Sequence, residues 1–330
     1  MNKKNNIILA GLLCSCSVMA QQDTLMAHKD REVIEVGRTV TYDAKEMTGA
    51  VSVVGNEALS HKTSIKSSNL LFGMIPGLEV LQNANVAWGD VATMYIRGLG
   101  TTSNNTPLVL VDGFERSIDE LSSEEIESVS VLKDAVATAL YGMRGGNGVI
   151  LVKTKRGAIG SPSINFSYEF NMASPKYLPD FVNGYTYAKA LNEAMVNDRL
   201  DPRYSSAELE AYKNRTYPAF YPNVDWFDEC LRNMSYGDNV NFSAHGGGKF
   251  IRYYTALNFL DNRGILKPTE VNDGYSTQFK YSRLNIRTNL DITVSPTTTV
   301  QLNLMGNFSE HNRPNQSVDD IFKALSLIHI

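Results

Sequence analysis

Leu108–Arg156 reads LVLVDGFERSIDELSSEEIESVSVLKDAVATALYGMRGGNGVILVKTKR, and its pattern decides the fold. The apolar run Leu108–Val111 stops at Asp112-Gly113, a turn pair. Ser122 and Ser123 stand before Glu124 and Glu125, an N-cap with acid in the first turn. Val129–Leu132 is a second apolar strand, and Ala135–Tyr141 has the length of two helical turns ended by Gly142. Gly145, Gly146 and Gly148 then lead into Val149–Val152, which Lys153, Lys155 and Arg156 close. Strand, short helix, strand, short helix, glycine turn, strand: the order describes a compact module whose small residues allow close backbone packing against a neighbour.

Upstream, Gly49–Val54 predicts a strand, and Ser67–Ile75 a short helix capped by Ser67 or Ser68 and stopped at Pro76-Gly77. Leu78–Leu81 and Thr93–Ile96 are further strands, the second leading into Arg97-Gly98, and Gly100–Thr106 is a polar, turn-rich loop. Residues 48–157 thus predict a small mixed sheet with helices, an α+β unit. The segments YIRG (Tyr95–Gly98), LVLVDG (Leu108–Gly113), IESVSVLKDA (Ile126–Ala135) and LYGMRGGNGVILVKTKRG (Leu140–Gly157) resemble, in this order, the plug domain of TonB-dependent outer-membrane transporters. More narrowly they resemble the SusC-like branch found in Bacteroidota-type bacteria. Gly98, Asp112, Gly113, Tyr141, Gly142, Gly145 and Gly148 are the residues that carry the plug motif.

The chain is long enough for two ordinary domains. With 43% hydrophobic and 20% charged residues it is a globular or β-barrel chain, not a disordered one. A net charge of −4 gives no electrostatic footprint for nucleic acid. Sixteen Tyr and thirteen Phe against two Trp suit pleated surfaces.

Residues 1–20 read as a signal peptide. Lys3 and Lys4 precede the apolar run Ile7–Leu13, and Val18-Met19-Ala20 offers small residues for cleavage before Gln21. The apolar run is too short for a membrane anchor, though Cys16 offers an alternative lipoprotein reading. Removal of the segment leaves Cys230 alone, so no internal disulfide is expected. The protein is expected to be exported, and with no helical span it can enter a membrane only as a barrel.

Residues 21–47 form a polar N-terminal segment. Within it Glu32, Val33, Ile34, Glu35, Val36, Gly37 and Arg38 make a short extended motif able to add as a strand to a partner's sheet edge. The resemblance makes this the TonB-box candidate, the periplasmic handle gripped by TonB of the inner-membrane energy-coupling complex. A plain linker or a first plug strand is the other reading of the same residues.

From Ser163 the period changes to two. Ile164, Phe166, Tyr168 and Phe170 alternate with polar residues, as do Leu257 and Phe259, then Leu284, Ile286 and Leu290, then Val300, Leu302, Leu304 and Phe308. Strands of about 9–11 residues with one apolar and one polar face are the pattern of a transmembrane barrel. Arg283, Asn285, Arg287 and Asn289 on the polar face predict a wet lumen. A soluble exported binding or adhesion module, with an α+β domain and a β-sandwich, would show the same alternation. About five strands are present, against roughly 22 in plugged transporters. Residues 158–330 are therefore expected to be the start of an incomplete barrel, with Ser326–Ile330 open to question as native continuation. The fold class expected is an α+β plug domain followed by the first antiparallel strands of a truncated transmembrane β-barrel.

Met172–Gly237 is too long for a tight turn, with helices expected over Tyr185–Asn197 and Ser206–Asn214. Tyr221 and Trp226, with Tyr217, Phe220 and Phe227, are candidates for stacking on sugar rings, or for packing within the loop. The resemblance places this excursion on the extracellular side.

Nothing in the sequence predicts catalysis. The glycine cluster lacks a Gly-Lys-Ser/Thr ending and enters a strand where a phosphate loop enters a helix. The five histidines lack zinc spacing, and Asp112 and Asp134 read as turn and cap residues. No cofactor or metal is expected. Arg97 and Arg144 are the candidates for locking plug to wall by ion pairs with wall carboxylates. The resemblance implies energy-coupled import across the outer membrane, with a SusD-like surface lipoprotein as lid and an oligosaccharide or peptide as cargo.

Overall fold

The structure is a computed structural model, and it describes residues 33–35, 41–43, 48–62, 64–82, 91–176, 178–221, 224–268, 270–271, 275–316 and 318–327. Two three-residue strands come first, β1 (Val33–Glu35) and β2 (Thr41–Asp43), paired antiparallel. The α+β unit follows with β3 (Val51–Gly55), α1 (Asn56–Ser60), α2 (Ser67–Leu70), β4 (Leu78–Gln82) and β5 (Ala92–Ile96). It continues through β6 (Leu108–Val111), β7 (Phe114–Glu115), β8 (Ile126–Leu132), α3 (Ala135–Thr138) and β9 (Val149–Thr154). Its main sheet has the order β3-β8-β9-β6-β7, with β6 parallel to β9 and the other pairs antiparallel. The strands β4 and β5 pair separately.

The apolar positions explain this order. The central strands β8 and β9 supply Val129, Val131, Leu132, Val149 and Ile150, all fully buried. Leu59, Leu70, Leu71, Ile118 and Leu121 from the helices and turns close over one face. Two expected helices are shorter than their patterns. The run Ser67–Ile75 gives one turn, Ser67–Leu70, and Gly73 turns the chain at φ +69°. Ala135–Tyr141 gives α3 and then 3-10 turns, broken at Gly142 with φ 56° and ψ −142°.

A second, long sheet begins after a short linker that carries Lys155, Arg156 and Gly157. It contains β10 (Gly160–Ala173), then, after α4 (Gly184–Asn197), α5 (Ser206–Asn214) and α6 (Trp226–Cys230), β11 (Ser235–Gly247) and β12 (Ile251–Arg263). The small hairpin β13 (Glu270–Val271) and β14 (Tyr275–Ser276) precedes β15 (Lys280–Ser295), β16 (Thr298–Asn312) and α7 (Val318–Leu327). The order is β10-β11-β12-β15-β16, antiparallel throughout. Its strands run 13 to 16 residues, longer than the expected length and more than enough to cross a bilayer.

The alternation separates two faces. Phe166, Phe170, Leu257, Phe259, Ile286 and Leu304 stand on the outer face, exposed. Among the described residues no second sheet packs on this face, as a sandwich would require. The polar face differs from the wet lumen expected from the sequence. Arg283, Asn285, Arg287 and Asn289 are each at most 4% exposed, because the α+β unit lies directly on them.

At one end of the long sheet, α6 and α7 pack with the β12–β15 connection through Phe227, Leu231, Leu266, Phe279 and Leu325. α5 starts where the sequence places it, with Ser205 and Glu208 capping each other's backbone N–H.

Candidate functional site: the polar seam between the α+β unit and the long sheet

The seam is built by one strand. Period two puts Tyr281, Arg283, Asn285, Arg287, Asn289 and Asp291 of β15 on a single inward row. Each meets the α+β unit or its exit linker. Arg287 is central: its Nε donates to Glu125 Oε2 at 2.7 Å, and its Nη1 reaches Asp112 Oδ2 and Thr154 Oγ1, each at 3.4 Å. Below it along the strand, Asn289 Nδ2 donates to Thr154 Oγ1 at 2.9 Å and to the Lys155 carbonyl at 2.8 Å. Above it, Asn285 Nδ2 donates to the Glu120 carbonyl at 2.8 Å, and Arg283 Nη1 to the Asp119 carbonyl at 2.7 Å.

Local structure in the α+β unit aims the partners. Glu125 ends a single 3-10 turn, Ser123–Glu125, and accepts from the Ser122 N–H through Oε1 at 3.4 Å. Its carbonyl receives the Lys155 N–H at 2.9 Å, which ties the turn to the end of β9. Asp112 takes a left-handed conformation, φ 49°, and Gly113 follows at 84°, so the Asp-Gly pair makes the tight turn its sequence predicts. The same conformation turns the Asp112 carboxylate onto Thr154, where it accepts from the N–H at 3.0 Å and the hydroxyl at 2.7 Å.

Two further contacts flank the row. Arg156, in the linker between β9 and β10, pairs with Asp291 and donates to Asn303 Oδ1 at 3.0 Å, while Arg252 reaches the other Asp291 oxygen at 3.5 Å. Lys66, before α2, donates to the Tyr281 hydroxyl at 3.0 Å and lies over its ring. Alongside opens a cleft of about 810 Å³ lined by Lys153, Lys155, His245 and Arg252 among others. Its lysines are already paired, Lys153 with Glu127 and Lys155 with Glu124.

The arrangement buries the Thr154 hydroxyl against the Asp112 carboxylate, within the contact itself. It is a contact that fixes position and can be parted. A buried ion pair adds little net stability over an apolar isostere, yet loss of one partner leaves a charge stranded in low dielectric. Both surfaces of the seam are polar, so water can replace their mutual hydrogen bonds when they separate.

The residues singled out in the sequence fall as follows. Val33, Ile34 and Glu35 form β1, while Glu32, Val36, Gly37 and Arg38 lie outside the described residues. Arg97 is exposed at the turn into Gly98, with φ 59° and 82°, and its backbone N–H donates to the Gly77 carbonyl at 2.9 Å. Arg144 pairs with Glu115 of its own α+β unit, both side chains more than half exposed. Arginine enters the contact with these five strands from both sides: Arg287 of the sheet meets Glu125 and Asp112, and Arg156 of the linker meets the sheet carboxylate Asp291. Tyr141 packs on Leu110, Leu132 and Val149, and burial pushes its hydroxyl pKa up. Gly145 is buried against Thr138, and Gly148, at φ +87°, sits where a Cβ would stand 2.6 Å from Ile96 Cδ1. Tyr221 meets Tyr212 edge-on at 5.3 Å, and Trp226 packs on the α6–α7 cluster, whereas Tyr217 and Phe220 are exposed. Sequence reasoning misses Glu125 as a buried acid, Thr154 and Asp291. The strict period of β15 is their signal, since a charged row opposite an apolar row needs a partner.

The model of the TonB-dependent receptor plug domain matches residues 43–149. The TonB-dependent receptor SusC of Bacteroides thetaiotaomicron is 27% identical over 263 residues, covering 76% of this chain and 24% of that protein. TonB-dependent receptor P26 of Formosa agariphila is 30% identical over 272 residues, 80% of this chain and 25% of the relative. Among solved structures, the RagAB peptide importer in its open-open state superposes with a TM-score of 0.69 at 22% identity, over 86% of this chain and 33% of that one. The chain spans about a quarter of the length of the curated relatives it matches.

Proposed function

Because this chain belongs to the TonB-dependent receptors, in their SusC-like branch, we propose that it supplies the plug and first wall strands of an energy-coupled importer in the outer membrane. The observation that carries this reading is the seam. An α+β plug is held on the inward row of β15 by Arg287 with Glu125 and Asp112, while the opposite face of the same sheet is apolar and exposed. A lipid-facing outside and a partable polar inside are what an occluded pore needs. Residues 1–20 are a signal peptide removed on export, residues 21–47 lie in the periplasm, residues 48–157 form the plug and residues 158–330 begin the barrel wall.

The motif Glu32–Arg38 is the segment that TonB grips by strand addition, and pulling on it displaces the plug. The end of the sheet that carries α4 to α7 faces outward, toward a SusD-like lipoprotein that closes over cargo. The cargo is an oligosaccharide, with peptide as the second reading because the RagAB neighbours are peptide transporters. Sugar stacking in the excursion falls to Tyr221 together with the exposed Tyr217 and Phe220; Trp226 is held in its cluster. In a longer wall Arg97 is free to meet a carboxylate as a lock, whereas Arg144 is engaged by Glu115.

The test is uptake. Deletion of Glu32–Arg38 from the receptor in its native outer membrane should abolish energy-dependent accumulation of labelled cargo while surface binding persists. Oligosaccharide and peptide mixtures offered separately distinguish the two cargo readings. Accumulation unchanged by the deletion would refute the proposal.

A further inference from the structure

Asp134 lies outside the seam, and among the described residues its carboxylate makes no hydrogen bond to the long sheet. Its carboxylate nonetheless joins two parts of the plug. Oδ2 accepts the Ala50 N–H at 2.6 Å, and Oδ1 accepts the Ala137 N–H at 3.0 Å, the N-cap bond of α3. The neighbouring backbone completes the junction, since Lys133 N–H donates to the Ala50 carbonyl at 3.1 Å. Lys133 Nζ also reaches Ser52 Oγ at 2.7 Å and the Pro76 carbonyl at 3.0 Å. Gly49 passes so close to α3 that a Cβ there would stand 3.0 Å from the Ala137 Cβ.

This junction holds an edge strand. β3 pairs with β8 on one side only, and β8 separates it from β9. The hydrogen bonds to β15 described above all come from residues later in the chain than β3, from Lys66 to Lys155. A pull from the N-terminal side reaches Ala50 before any residue of the seam. We propose that Asp134 is a clasp that sets how readily β3 leaves the plug, and that releasing β3 uncaps α3 in the same event. The clasp rests on the transport reading only for the origin of the pull; the bonds themselves can be tested without transport. Because one carboxylate serves both sites, loosening of the strand passes to α3 and the glycine turns after it, Ala139–Gly145.

Hydrogen exchange on the detergent-solubilised chain separates the two bonds. Asp134→Ser keeps a side-chain oxygen able to cap α3 but is too short to reach Ala50 as well; Asp134→Ala removes both bonds. With Asp134→Ser, exchange at Ala50–Gly55 should rise about ten- to a hundredfold, the span of one lost hydrogen bond to a charged group, with β8 and β9 unchanged. Asp134→Ala should add a rise in α3. Protection of β3 within about threefold of the parent in Asp134→Ser overturns the clasp. So does an equal rise across the whole plug, which marks a general stability role. A clasp found in exchange, with uptake indifferent to deletion of Glu32–Arg38, would sink the transport reading and leave the clasp standing.

Discussion

Replacing Arg287 by alanine removes the only cation in hydrogen-bond range of Glu125 among the described residues, and the two side chains are 3% and 2% exposed. Glu125 is then left buried without its cation, with the Ser122 N–H and the Asn285 amide, each at 3.4 Å, as its remaining donors. Breaking a buried pair in this way costs about 3–5 kcal/mol. At one decade per 1.4 kcal/mol, the opening equilibrium of the seam should rise on the order of a hundred- to several thousandfold. Hydrogen exchange at Ile126–Leu132 and at Lys155, whose N–H bonds the Glu125 carbonyl, reads this directly. Arg287→Lys keeps the charge but cannot span both carboxylates, and should fall between. The decisive control is the pair Arg287→Met with Glu125→Leu. With both charges gone, much of the protection should return, because an apolar pair of similar volume is no worse than a buried ion pair. Exchange in Arg287→Ala within about threefold of the parent, or a double variant no better than the single one, would refute the argument that a stranded charge governs the seam.

Other expectations concern the linker, the cap and the outer face. Gly157→Ala places a Cβ 2.4 Å from the backbone N and O of Tyr253, so the linker must shift, and thermal unfolding should show a loss of about 1–3 kcal/mol. The backbone donors Ala137 and Ala50 hold the Asp134 carboxyl below its ordinary pKa, assisted by Arg97 and Lys133. A depressed folded pKa gives stability that is present above the unfolded value and is lost as pH falls through the folded one. Acid melting of β3 below about pH 3.9 should therefore be steeper in the parent than in Asp134→Asn, and equal slopes would count against this assignment. Leu257→Arg on the apolar face should weaken folding into bilayers by about 2–4 kcal/mol at mid-membrane depth, measured by denaturant titration in vesicles. A change within error there would mean that the face does not meet lipid.

Features with short-range causes are legible in the amino-acid sequence alone. The Asp112-Gly113 turn, the Ser205 cap, the start of α5 and the alternation in β10 to β16 each follow from local chemistry or period. The helix break at Gly73 is less so, because an apolar pattern continues through that glycine, whereas Gly142 reads as a stop from the sequence. The site itself is half visible. Arg283, Asn285, Arg287 and Asn289 stand out as one polar row, but a row does not say whether it meets water or protein. That depends on Glu125 and Asp112, which lie 162 and 175 residues away along the chain. Arg97 and Arg144 draw attention because arginine is conspicuous, while the acid that is buried sits in Ser-Ser-Glu-Glu, a string indistinguishable from an ordinary helix start.

Asp112 shows how narrowly one position can be confined. It must tolerate the left-handed backbone region, hold Thr154 at the end of β9, and offer negative charge to Arg287 across the seam. Asparagine satisfies the first two demands and fails the third; glutamate carries the charge but neither favours that conformation nor keeps the same reach. Serine offers a single shorter acceptor and no charge, and glycine loses the bonds altogether. Of the twenty residues, one meets all three conditions, so a library randomised at this codon should return to aspartate under selection for uptake. Gly113 beside it answers to a single demand, the turn, and leaves more room for asparagine.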